Sequence, residues 1–226
     1  MSDRPAGVFV TGTGTEVGKT VVAAALARTL AAGGRRVAVF KPCVTGLDEP
    51  PAHGMADHEL LRLAAGSAQS DEEIAPYRYG PPASPHLAAA IAGEEIDPER
   101  LRAAAALAAA GADAIVCEGV GGLLVPLAAG YLVRDLAADL GYPLVIAAAP
   151  GLGTINHSLL TIEAARAAGL EVSSVVLTPW PAEPSAIELS NRDTIAAVGG
   201  VQVQLLPDLD LAAPASWPEL PFQLRG

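Results

Sequence analysis

At 226 residues and 22.8 kDa, with 51% hydrophobic and 17% charged residues, the chain has the composition of a folded protein rather than a disordered one. A chain of this size buries roughly 70% of the surface its unfolded form exposes, so it needs no disulfide or metal staple. Its 25 acidic residues against 14 Lys and Arg give a formal charge of -11, which weighs against nucleic acid and anionic membrane as partners while leaving room for one local anion site.

Val8 to Thr11 reads as a short strand that ends in a glycine-rich loop, and Lys19 to Ala32 as a helix stopped by Gly33-Gly34. Val37 to Phe40 reads as a second strand, completing a βαβ unit. Between them, Gly12-Thr13-Gly14-Thr15-Glu16-Val17-Gly18-Lys19-Thr20 fits G-x-x-x-x-G-K-T, after a strand and before a helix. The glycines allow a turn whose amides face phosphate oxygens, and the helix amino terminus adds free N–H groups and a favourable dipole. Lys19 can reach the outer phosphates of a nucleoside triphosphate, and Thr20 can ligate magnesium.

Lys41 follows the second strand, where ligands gather on a parallel sheet. It reads either as a surface charge or as a cation that steadies an anionic intermediate. After a Pro and Gly cluster from Pro50 to Gly54, Asp57 opens a short helix to Ala65, either as its cap or as a magnesium ligand. Pro76 to Pro85 reads as loop, and Pro98 opens an alanine-rich helix to Ala110. Ile115 to Cys117 is a buried strand, and Glu118 follows it ahead of a glycine turn, as a solvated capping group or a second carboxylate for magnesium.

Further on, helices are expected at Val133 to Leu140, about Ile155 to Ala168 and Ser185 to Ala196. Strands are expected at Leu144 to Ala148, Val172 to Leu177 and Val201 to Leu205. This alternation predicts an α/β fold, a mostly parallel central sheet flanked by helices in three layers, within one domain over 1–226. Only 4% of residues are aromatic, so the core must come mainly from Ala, Leu and Val. Cys43 and Cys117 lack metal-ligand spacing, no leader pattern opens the chain, and no apolar run reaches the roughly 20 residues of a membrane span. A cytoplasmic protein is expected.

Several separated segments together resemble the dethiobiotin synthetase family, whose members share the P-loop NTPase fold. They are GTGTEVGKT at Gly12 to Thr20, KPCVTG at Lys41 to Gly46, the Asp57 helix start and SPH at Ser84 to His86. EGVGGLLVPL at Glu118 to Leu127, GLGTINH at Gly151 to His157 and SNR at Ser190 to Arg192 extend the likeness over nearly the whole chain. The resemblance implies a ligase that joins 7,8-diaminononanoate and carbon dioxide with ATP and Mg2+, through a carbamate and a carbamic–phosphoric anhydride. It implies Lys19, Lys41 and Thr15 as catalytic residues and Thr20, Asp57 and Glu118 around magnesium. Gly14, Thr15, Glu16, Val17, Gly18, Lys19 and Thr20 would hold the nucleotide, with Asn191 and Pro207 at its base. Thr45 would lie near the diamine and carbamate, and Gly153, Thr154, Ile155 and Asn156 would receive the tail carboxylate of the substrate, partly across the interface of a homodimer.

Two positions depart from the family pattern. Thr45 stands where many members have serine, and Val120 where a small residue is usual. His86 and His157 read as packing or hydrogen-bonding groups, Cys43 as a space filler and Cys117 as a buried strand residue. Two other functions fit the phosphate loop: an amidating ligase that activates a carboxylate, and an ATP-switched positioning protein. The first requires an ammonia source. The second would turn over ATP without diamine.

Overall fold

A computed structural model describes residues 5–51 and 54–222. The two ends of the expected 1–226 domain, and positions 52 and 53 of the Pro50 to Gly54 cluster, lie outside the described residues. Strand β1 (Ala6–Gly12) runs through the glycine-rich loop into α1 (Lys19–Ala32), and β2 (Val37–Phe40) follows. Next come a two-residue strand β3 (Cys43–Val44), α2 (Asp57–Ala65), the single turn α3 (Asp71–Ile74) and a matching short strand β4 (Tyr77–Arg78). Helices α4 (Pro85–Ile91) and α5 (Pro98–Ala109) precede β5 (Ala114–Gly122). A small antiparallel hairpin, β6 (Pro126–Ala128) and β7 (Tyr131–Leu132), leads to α6 (Val133–Leu140). The chain ends as β8 (Leu144–Ala148), α7 (Thr154–Ala167), β9 (Val172–Trp180), α8 (Ala186–Gly199) and β10 (Gln202–Pro207).

Six strands form one parallel sheet in the order β10-β9-β8-β1-β5-β2. Side chains alternate across it because strand residues alternate faces. Val8, Val10, Val39, Val116, Val145 and Val176 point to the face covered by α1 and α2. Phe9, Phe40, Ile115, Cys117 and Leu144 point to the opposite face, under α5 and α6. Ile146, Val175 and Leu177 meet Ile162 of α7 and Ile195 of α8. With both faces covered, the strands are nearly continuous apolar runs, as a parallel sheet requires. The expected three-layer α/β architecture is therefore present. No helix among the described residues is long and apolar enough to cross a membrane.

The covering helices pack closely because they are small-sided. In α1, Ala23, Ala24, Ala25 and Ala27 are all buried, between the sheet and the neighbouring elements. Gly7 shows how little slack the sheet has. A methyl group there would stand 2.6 Å from Cδ1 of Tyr142 and 2.8 Å from Cγ2 of Ile115. Gly7→Ala is expected to destabilise the protein by about 1–3 kcal/mol through overpacking, readable as a lower urea midpoint with an unchanged slope.

Four expectations need correcting. The segment Pro76 to Pro85 is not all loop: Tyr77 and Arg78 pair in parallel with Cys43 and Val44. Glu118 does not follow a strand that ends at Cys117 but lies inside β5, which runs on to Gly122 and pairs Gly122 with Gly12 across an irregularity. Asp57 is not the cap of α2. Ala56 holds that position, and the carboxylate that accepts from the Ala56 N–H, at 2.7 Å, belongs to Glu59. Finally, α8 continues to Gly199, so the last strand begins at Gln202 and reaches Pro207.

Candidate active site

Strand β1 lies in the middle of the sheet, between β5 and β8, and its carboxyl end is where the chain order reverses. Ligand crevices form at such points because the loops on either side diverge. The glycine-rich loop occupies this position. Glu16 and Gly18 both take left-handed backbone conformations, with φ of 59° and 81°. Alternation of this kind turns successive N–H groups toward one side and forms an anion-binding concavity at the start of α1. A side chain at Gly18 would also strike Thr178, whose Cγ2 is 2.5 Å from the position a Cβ would take. The end of β9 thus packs on the loop, a contact with no signal in the sequence.

Lys19 is 8% exposed, and its ammonium donates to Gly14 O at 2.7 Å, closing the loop on itself. Burial lowers the Lys19 pKa to about 8, with Glu118 pulling the other way and Lys41 adding to the lowering. Thr20, the next residue of α1, donates its hydroxyl to Oε1 of Glu118 at 2.8 Å.

Lys41 is a buried cation, not a surface charge. Its ammonium lies 2.7 Å from Oε1 of Glu118 and 2.9 Å from Oδ2 of Asp57. Burial alone would favour the neutral amine, but Asp57 and Glu118 outweigh it and raise the Lys41 pKa, so the residue stays charged. Lys41 in turn holds the Asp57 carboxyl below the usual range, helped by the Thr20 hydroxyl. Glu118 is fully buried, and burial raises its pKa against the pull of Lys41.

Thr20, Asp57 and Glu118 therefore converge on Lys41, which shares the face of the sheet beneath α1 and α2. Oε1 of Glu118 accepts two hydrogen bonds, whereas its buried Oε2 has no protein partner. Such an orphaned acceptor is costly unless a ligand completes it. Two carboxylates and a hydroxyl are the hard oxygen donors that magnesium takes when water and phosphate oxygens fill its other positions. The residues fit that ion. Among the described residues no group of three or more His, Cys, Asp or Glu forms an alternative metal cluster.

The remaining expected residues are spread over loops and helices along the strand order, from Thr45 after β3 to Pro207 at the end of β10, the strand farthest from β2. Thr15 is exposed, with its hydroxyl beside Gly121. Gly14 and Val17 are half-buried within the loop. Thr45 directly follows β3 and is also half-buried. Gly153 takes φ of 90° and starts α7, where Thr154 is buried, Ile155 half-buried and Asn156 exposed. A hollow of about 80 Å³ joins this helix start to the loop, lined by Thr13, Val17, Ala149, Gly151, Leu152, Thr154 and His157. The Thr154 hydroxyl is buried there without a partner.

Asn191, in α8, is buried and donates both amide hydrogens to the carbonyls of Pro150 and Gly151, at 2.9 and 3.1 Å. Its Oδ1 is left as an acceptor. Pro207 ends β10 in register with Trp180 and is exposed. Cys43 is buried, its thiol pushed up to about 12 chiefly by burial, which disfavours the thiolate form.

The sequence profile of a family described as an AAA domain matches residues 6–211. The chain is 41% identical over 204 residues to the ATP-dependent dethiobiotin synthetase BioD of Anaeromyxobacter dehalogenans (strain 2CP-C), covering 89% of both chains. It is 43% identical over 196 residues to the protein of the same name from Rhodococcus erythropolis (strain PR4 / NBRC 100887), covering 85% of this chain and 84% of that one. Among solved structures, a ParA family ATPase from Chlorobium tepidum TLS superimposes with a TM-score of 0.53 at 14% identity, over 94% of this chain and 89% of that one. At that identity the likeness is one of fold alone.

Proposed function

This chain belongs to the ATP-dependent dethiobiotin synthetases, ligases of biotin biosynthesis, and from that premise we propose that it closes a cyclic urea on 7,8-diaminononanoate with carbon dioxide. One amine adds to carbon dioxide and loses a proton, giving a carbamate. A carbamate oxygen attacks the terminal phosphorus of ATP and ADP leaves. The second amine then attacks the carbonyl carbon of the mixed anhydride and loses a proton, phosphate leaves, and the ring closes.

The observation that carries this reading is the charged Lys41 held between Asp57 and Glu118, with Glu118 also bonded to Thr20 of the phosphate-loop helix. Carbamate and triphosphate are both anionic, so bringing oxygen to phosphorus requires fixed positive charge. Lys19 would exchange Gly14 O for the outer phosphate oxygens, and Lys41 would bridge toward the carbamate. Because its carboxylate neighbours keep Lys41 protonated, it acts as a fixed charge and not as a base. Thr20, Asp57 and Glu118 would hold Mg2+, which supplies charge neutralisation of the phosphates when bound.

The other roles follow the same edge. Gly14, Thr15, Glu16, Val17 and Gly18 would cradle the phosphates, with Thr15 also reaching the reacting amine. Thr45 would hydrogen-bond the diamine or carbamate. Oδ1 of Asn191, an acceptor, suits the 6-amino group of adenine, and Pro207 would border the base. Gly153, Thr154, Ile155 and Asn156 would hold the tail carboxylate at the start of α7, where free N–H groups favour an anion. We assign the reaction to one domain, residues 1–226, working as a cytoplasmic homodimer. Leu152, 96% exposed at the turn before α7, supports an apolar contact at that point.

Purified protein given ATP, magnesium, bicarbonate and 7,8-diaminononanoate should form dethiobiotin one-for-one with phosphate, as read by mass spectrometry. Omission of any one component should stop it. Phosphate release that ignores the diamine, with no dethiobiotin formed, would overturn the reading.

A further inference from the structure

Among the described residues, strand β2 is the outer strand of the sheet, with β5 on one side and no strand on the other. An open edge is normally a liability, since its main-chain groups lack partners. Here one side chain takes both outward groups of Val39. Oε1 of Gln69 accepts from the Val39 N–H at 2.9 Å, and Nε2 of Gln69 donates to Val39 O at 3.1 Å. Ser67 fixes the amide, donating its hydroxyl to the same Oε1 at 2.9 Å while accepting from the Gln69 N–H at 3.2 Å. Two residues further along the same edge, the Lys41 N–H donates to Ile74 O at 2.8 Å.

The stretch from Gln69 to Ile74 thus replaces a neighbouring strand for β2 and ends on the main chain of Lys41. At its other end the same segment is continuous with α2, which carries Asp57. Lys41 is therefore tied to one piece of chain twice, by its amide and by the 2.9 Å ion pair of its ammonium with Asp57. We infer that Gln69 is a positioning residue for the ligase reaction: its amide locks β2 to the segment joining α2 and α3, and so sets the Lys41 ammonium in register with Asp57 and Glu118. The inference rests on the catalytic role proposed for Lys41. It goes beyond edge protection, which any polar cover would supply.

Three variants test it in the assay described above. Gln69→Leu removes both bonds, and a shift of Lys41 by a fraction of an ångström to 1 Å should lower kcat by about tenfold to a hundredfold. The KM for ATP should hold, since the phosphate loop is untouched. In Gln69→Glu the protonated carboxyl has the same donor and acceptor as the amide, whereas the ionised form opposes Val39 O. Its kcat relative to the parent protein should therefore climb as pH falls through the pKa of the introduced group. Gly7→Ala, destabilised far from the site, should keep its kcat when compared at equal stability.

A parental kcat in folded Gln69→Leu, an equal loss in Gly7→Ala, or a ratio for Gln69→Glu that is flat with pH would each overturn the inference. If the parent protein makes no dethiobiotin, the functional reading fails separately, and hydrogen exchange then judges the clamp. Faster exchange of the Val39 and Lys41 amides in Gln69→Leu would support it, and unchanged protection would overturn it.

Discussion

Exchanging Lys41 for methionine is expected to destabilise the protein by about 3–5 kcal/mol and to lower turnover by about a thousandfold. Methionine fills a similar volume but leaves the fully buried Glu118 without the ammonium that now lies 2.7 Å away. Oε2 of Glu118 already lacks a protein partner, so the variant would bury a carboxylate with only the Thr20 hydroxyl to serve it. The carboxyl should respond by holding its proton more tightly than the raised pKa it has beside Lys41. The sign of the pH dependence follows. An acid whose folded pKa is raised binds more protons folded than unfolded, starting near pH 4.3, so stability falls as pH rises through that window. The deficit of Lys41→Met should be smallest in acid and grow toward neutrality, as read from urea unfolding at several pH values. Adding Glu118→Gln removes the stranded charge and should restore most of the stability but none of the turnover. A double variant as unstable as the single one would show that the pair is not coupled in this way.

The coupling also explains which parts of the site the sequence could reveal. The phosphate loop was legible because its chemistry is local: nine consecutive residues set the turn, the helix start and the lysine. Lys41, Asp57 and Glu118 could each be named, yet each carried an ordinary alternative, because nothing local distinguishes a strand-end charge from a buried one. Pairing decides it, and the Lys41–Glu118 contact spans 77 residues of sequence. The structure removes the alternatives by burying Lys41 and Glu118 together and by giving the cap position of α2 to Ala56.

The same reasoning covers the fold. The long apolar strands and alanine-rich helices declared themselves because period and composition agree over many residues. The bridge between Cys43–Val44 and Tyr77–Arg78 did not, since two-residue strands have no periodicity and exist only through each other. The sequence hides the end of β5 because the glycines after Cys117 look like a turn. β5 instead continues beside β1 to Gly122, through a left-handed Gly121 with φ of 60°, and Gly119 fits against Val133 and Phe9, whose atoms lie 2.9 and 3.1 Å from where a Cβ would stand. Gln69 gave no signal, as a glutamine after a helix is unremarkable until the open edge of β2 lies beside it.

Lys19→Met should separate function from stability in the opposite direction to Lys41→Met. The methionine keeps the stem that lies against Gly12 and removes only the charge. In the ligand-free protein that charge is unfavourable, because burial lowers the Lys19 pKa from 10.5 to about 8. A drop of this size corresponds to a cost on the order of 3 kcal/mol, at 1.36 kcal/mol per unit. The sign is again fixed by proton binding. Below pH 8 the lysine is charged in both states and the cost is fully present; between 8 and 10.5 the unfolded chain holds more protons, so stability rises. The variant should therefore unfold at an equal or higher temperature than the parent at pH 7 and should lack the parent's gain at alkaline pH. With ATP and magnesium the order reverses. Phosphate oxygens give the ammonium its counter-charge, so the parent gains stability by mass action and, near pH 8 and above, takes up a proton on binding. Calorimetry in buffers of different ionisation enthalpy would read that proton. The variant should show no such uptake, little stabilisation by nucleotide and turnover lower by about a thousandfold. A variant less stable than the parent without nucleotide would mean that Lys19 supports the loop through Gly14 more than its burial costs.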